Sequence, residues 1–137
     1  METMGYYTNS TVTLSDIEEL AKAQGYKTLV MHRPAYSELH PAYDELHTYF
    51  GDNDHMRWQW TEYKAEDVAL EVDARKRMND LNPTTILLFE YGPRWLPEIV
   101  KFMTVVLKKY GGMLDCIGDV DQMYTLENLD GLLSGCP

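Results

Sequence analysis

The chain has 137 residues, one domain's worth, and 45% hydrophobic with 12% aromatic residues is enough for a single packed core. Against 22 Asp and Glu stand 12 Lys and Arg, a formal charge of −10. That balance argues against nucleic acid, whose phosphates need Lys and Arg, and against an anionic membrane surface; it attracts a basic protein partner.

Two cysteines, Cys116 and Cys136, are too few for a disulfide framework. No basic segment followed by an apolar run opens the chain, and no stretch is apolar for the ~18 residues of a membrane span. These features predict a cytoplasmic protein with reduced thiols.

Residues 1–12 carry little apolar weight and are expected to form a flexible N-terminal arm ahead of one α/β domain over 13–137. Ser15 with Glu18 three residues on reads as a capping box, Leu14 and Ile17 to Leu20 give an apolar stripe, and Gly25 offers a left-handed stop. Thr28-Leu29-Val30-Met31 reads as a buried strand of the parallel type, ended by Pro34. Leu39, Tyr43, Leu46, Tyr49 and Phe50 have helical spacing, which predicts a helix from Tyr36 to Phe50. Met56, Trp58 and Trp60 alternate with polar residues as in a half-buried strand. Residues 65–81 fit helix and strand alike by period; the helix formers from Ala65 to Met78 favour a helix.

Asn82-Pro83 marks a turn, and Ile86 to Phe89 a strand. Pro93 or Pro97 opens an amphipathic helix to Tyr110, Gly111-Gly112 ends it, and Met113 to Ile117 follows as a strand. Thr28 to Met31, Pro34 and a helix closing at Gly51 are echoed by Thr85 to Leu88, Pro93 and a helix closing at Gly111. The expected fold is therefore α/β, a four-stranded sheet built from two β-α-β units with helices packed on the sheet. Val30, Trp58, Ile86 and Leu88 are expected in its core, with Phe102, Met103 and Val106 covering one face.

Motifs for chemistry are sparse. His40, Asp44 and His47 at i, i+4 and i+7 would share one helix face and could hold a divalent metal, but a wet helix edge explains them as well and is preferred. Asp115 and Asp119 beside Cys116 disfavour a thiolate, so that cysteine reads as a small buried hydrophobe. No phosphate-binding glycine motif and no nucleophile elbow occurs. No cofactor or metal is expected.

From Gly111 to Pro137 there are five carboxylates, Asp115, Asp119, Asp121, Glu127 and Asp130, and no Lys or Arg. Tyr124, Leu126, Leu129 and Leu132 are set among them, the composition of a surface for a basic protein. Tyr124-Thr125-Leu126-Glu127-Asn128-Leu129-Asp130-Gly131-Leu132 resembles the Tyr, then Glu-Asn-Leu-Asp-x-Leu, segment of barstar-type ribonuclease inhibitors, with one extra residue after the tyrosine and a place late in the chain. Size, acidity and layout together resemble bacterial immunity proteins that neutralise polymorphic toxins. That resemblance implies occlusion of a basic toxin. The acidic and aromatic composition of the chain points to Asp115, Asp119, Asp121, Tyr124, Glu127, Tyr91 and Trp95 as the expected partner-binding residues. The alternatives are a small enzyme with Tyr91, Arg94 and Trp95 lining a cleft after the third strand, and a homodimer or scaffold subunit.

Overall fold

Period-two burial explains the first element. In Glu2–Thr8 (β1), Met4 and Tyr6 turn to one side while Gly5 and Tyr7 turn to the other, and all four are buried. A strand buried on both faces belongs in the middle of a sheet, and β1 pairs there with two neighbours. The computed structural model describes residues 2–39, 41–49, 57–63, 82–116 and 123–134. Its elements run Leu14–Ala23 (α1), Lys27–Arg33 (β2), Tyr43–Tyr49 (β3), Arg57–Tyr63 (β4), Thr85–Tyr91 (β5), a 3-10 turn Pro93–Trp95, Leu96–Tyr110 (α2), Met113–Cys116 (β6), Met123–Tyr124 (β7) and a 3-10 helix Leu129–Ser134.

These seven strands form one sheet in the order β2-β3-β4-β5-β1-β6-β7, and every neighbouring pair is antiparallel. The chain is thus α/β in the general sense of containing both, but the two β-α-β units are overturned, because such a unit requires parallel strands. The expected four strands miss β1, β3 and β7. Residues 2–8 are no flexible arm: β1 pairs with β5 from Glu2↔Tyr91 to Thr8↔Thr85 and with β6 from Met4↔Cys116 to Tyr7↔Met113.

The region 43–49 is a strand where a helix was expected. Leu46 and Thr48 face one side and Glu45, His47 and Tyr49 the other, and β3 is paired on both edges, Val30↔Leu46 and Leu46↔Trp60. Two ladders outweigh an ambiguous helical period. The expected helix over 65–78 lies outside the described residues.

The helical layer lies on one face of the sheet. Met4, Tyr6, Leu46, Trp60, Leu87, Phe89, Tyr91, Leu114 and Tyr124 form one apolar cluster with Ile17 and Ala21 of α1, Ile99, Phe102, Met103 and Val106 of α2, and Leu129 and Leu132. Phe102 stands edge-on to Trp60 and to Tyr26, centroids 6.3 and 6.0 Å apart. The covering role of Phe102, Met103 and Val106 is as expected. Val30, expected in the core, is 46% exposed because β2 ends the sheet, and Leu88 is only half-buried on the opposite face. The side chain of Trp58 is outside the description.

The caps follow local chemistry. Thr13, two residues before the expected cap, accepts from the Asp16 amide at 3.2 Å while its own amide donates to Asp16 Oδ2 at 2.9 Å. At the other end of the layer, Tyr6 Oη donates to Gly111 O at 2.7 Å, and the hydroxyls of Thr8 and Ser10 donate to Tyr110 O. Strand β1 thereby satisfies carbonyls that the end of α2 leaves open. Gly5 is required by packing, since a Cβ there would come within 2.7 Å of Tyr7 Cζ. Among the described residues, no helix is long and apolar enough to cross a membrane.

Replacing Phe102 by Ala should cost about 3–5 kcal/mol, the range for emptying a buried aromatic site. Denaturant unfolding measures it, and a loss below about 1 kcal/mol would mean that α2 does not seal this face.

Candidate functional site

The late acidic segment is organised by burial. Leu114 and Cys116 of β6 point into the core, and Tyr124 of β7, opposite Leu114, is 5% exposed. The chain then turns through hydrogen bonds from the Thr125 amide to Asn128 Oδ1, 2.6 Å, and from Asn128 Nδ2 to Met123 O, 3.3 Å. In the following 3-10 helix residues three apart are stacked, so Leu129 and Leu132 are buried together while Asp130 and Leu133 face outwards together. Leu126 and Glu127 are exposed on the preceding turn. The result is an anchored acid and apolar patch of Leu126, Glu127, Asp130 and Leu133, with Leu126 44% and Leu133 53% exposed.

Of the expected contact residues, Glu127 alone is solvent-exposed among those described. Asp115 is 1% exposed, on the sheet face opposite the helices, where it lies in register with Gly5. Burial, and then the charge of Asp115, push the Tyr7 phenol well above its ordinary value of 10.0. Tyr124 and Tyr91 are core residues, and Trp95 is half-buried against the core with the Arg94 guanidinium 5.4 Å from its ring centre. Tyr91 and Arg94 therefore do not converge on a common cleft. Asp119 and Asp121 lie outside the described residues. Asp130 and Leu126 belong to the acidic and apolar stretch read from the sequence but not to its expected contact residues, and Leu133 belongs to neither; the three-residue spacing of Leu129 and Leu132 is the signal that separates inward from outward positions.

Cys116 is disulfide-bonded, which overturns the expected reduced thiol while bearing out its burial at 1% exposure. The sequence has one other cysteine, Cys136, outside the described residues.

At the other end of the sheet a second polar group is buried. Arg33 of β2 donates to both oxygens of Glu45, Nε to Oε1 at 3.2 Å and Nη2 to Oε2 at 3.3 Å, and His47 Nε2 is 2.8 Å from Glu45 Oε2. Glu45 and His47 are 3% and 1% exposed, neighbours at i and i+2 on one face of β3. Burial raises the Glu45 carboxyl, but the hydrogen bonds from His47 and Arg33 and the Arg33 charge outweigh it and hold it below the ordinary carboxylate value. His47 Nδ1 has no hydrogen-bond partner and is sealed from solvent, and the salt bridge of the cluster is the Arg33–Glu45 pair.

The helix face on which His40, Asp44 and His47 were to stand, as a wet edge, is instead strand at Asp44 and His47. Asp44 and His47 point to opposite faces of β3, Asp44 pairs with His32 at 2.8 Å, and His40 is outside the described residues. No group of three metal-capable side chains occurs among the described residues.

Because Glu45 is held below 4.5, its ionised form stabilises the fold fully above that pH, and the contribution is lost as pH falls through the lowered folded value. Glu45→Gln should lower stability at neutral pH by about 1–3 kcal/mol and flatten the acid side of the stability profile. An unchanged acid slope in urea unfolding would show that Glu45 does not carry it. No protein-family model, no curated protein and no solved structure matches this chain.

Proposed function

We propose that this chain is an acidic binding protein that neutralises a basic partner protein by covering its active or binding surface, as a bacterial immunity protein does to a toxin. The observation that carries this reading is the exposed patch of Leu126, Glu127, Asp130 and Leu133, fixed by the buried Tyr124, Leu129 and Leu132 and set in a 27-residue stretch without Lys or Arg. Apolar side chains on a rigid support give contact area at little entropic cost, and the carboxylates steer a basic partner and select against acidic ones. The disulfide at Cys116 favours an oxidising compartment over the cytoplasm expected from sequence.

The double variant Glu127→Gln, Asp130→Asn removes two exposed charges with almost no change of shape. Low-salt capture from lysate should recover a basic protein with the parent chain, and association with that protein should be about tenfold slower and less salt-sensitive for the variant, at equal melting temperature. Equal association rates, or capture of nothing basic at low salt, would contradict the proposal.

A further inference from the structure

A second exposed surface lies at the opposite edge of the sheet. Strand β2 bonds β3 along its whole length, Lys27↔Tyr49 to Arg33↔Tyr43, and among the described strands has no neighbour on its other side. Edge strands are normally blunted by proline, a bulge, shortness or a central charge. None of these occurs in β2: seven residues long, it keeps its charges at the ends and leaves Thr28-Leu29-Val30-Met31 uncharged between them. Leu29 and Val30, on opposite faces of the strand, are 47% and 46% exposed, and Tyr36 and Leu39 in the following loop 80% and 87%. Both faces of the edge are therefore apolar and wet, the condition that strand addition relieves.

Charge selects the occupant. Residues 27–49 carry two cations, Lys27 and Arg33, and three carboxylates, Glu38, Asp44 and Glu45, a net −1 within a chain of −10. Arg33 is engaged by Glu45 and Asp44 by His32, so a basic partner finds little here to pair with. A second copy meets the first where repulsion between them is least, and a two-fold axis makes every contact twice.

We propose that β2 pairs antiparallel with β2 of a second copy, joining the two sheets into one across a two-fold axis at Leu29. In that register Leu29 faces Leu29, Thr28 faces Val30, and Lys27 faces Met31, so apolar side chains meet and no like charges are opposed. A register centred on Val30 would set Lys27 against Arg33 and is disfavoured for that reason. The loop after Arg33 of each copy then runs towards the α1–β2 turn of the other, where Tyr36 and Leu39 lose exposure.

Sedimentation of the parent chain over a range of concentrations should show a reversible dimer. Leu29→Lys combined with Val30→Lys should abolish it, with a melting temperature equal to that of the parent at concentrations where the parent is monomeric, since both side chains are exposed. Under mild oxidation Leu29→Cys should give a covalent dimer and Met31→Cys should not, because only the residue on the axis meets its own copy. A parent chain that stays monomeric at every concentration, as it would if the edge served a foreign strand, overturns the proposal. So does a dimer that survives the two lysines, and cross-linking through Met31 instead of Leu29 overturns the register.

Discussion

The structure depends on the insertion of β1 between β5 and β6. Its seven residues find partners about eighty and more than a hundred positions later, so sheet closure is a long-range event whose loop entropy has to be offset by the burial it achieves. Met4 and Tyr6 supply that burial on the helical side and Tyr7 on the other. The Tyr6 and Thr8 hydroxyls close the end of α2, and Gly5 leaves room for the Tyr7 ring. The position of β6, and through it of β7 and the acidic patch, follows from this one insertion.

What the sequence disclosed, and what it hid, follows from the same topology. Local signals were readable: α2 with Phe102, Met103 and Val106 on its buried face, the Gly111-Gly112 stop whose residues have φ of 70° and 97°, and the strand at Ile86 to Phe89. Non-local pairing was not. Met4-Gly5-Tyr6-Tyr7 looks poor in apolar weight until β5 and β6 flank it, because tyrosines bury their rings while their hydroxyls still need partners. Leu39, Tyr43 and Leu46 fit a helical period by coincidence, and the competing alternation of Glu45 and His47 was obscured because its inward residues are polar. A buried carboxylate is tolerated at position 45 only because Arg33 and His47 bond it, and the pairing of β2 with β3 that brings Arg33 there is tertiary.

The candidate site was half legible. The excess of acid after Gly111 was visible, but not its phase: Asp115 turns inward beside Tyr7, whereas Glu127 and Asp130 turn out. The two proposed surfaces then occupy opposite ends of the sheet, the acidic patch beyond β7 and the near-neutral edge at β2. A dimer formed through β2 would leave both acidic patches open at its far ends, and binding a basic partner and pairing with a second copy would not compete.

Native-state amide exchange reports how deeply each strand is built into the cooperative structure, and so whether β1 is part of it. If β1 is the central strand, the amides of Met4 to Tyr7 exchange as slowly as those of Ile86 to Phe89, at the rate of global unfolding. Amides of Met4 to Tyr7 that exchange as fast as those in the loop 34–39 would contradict the account and restore an N-terminal arm lying outside the sheet.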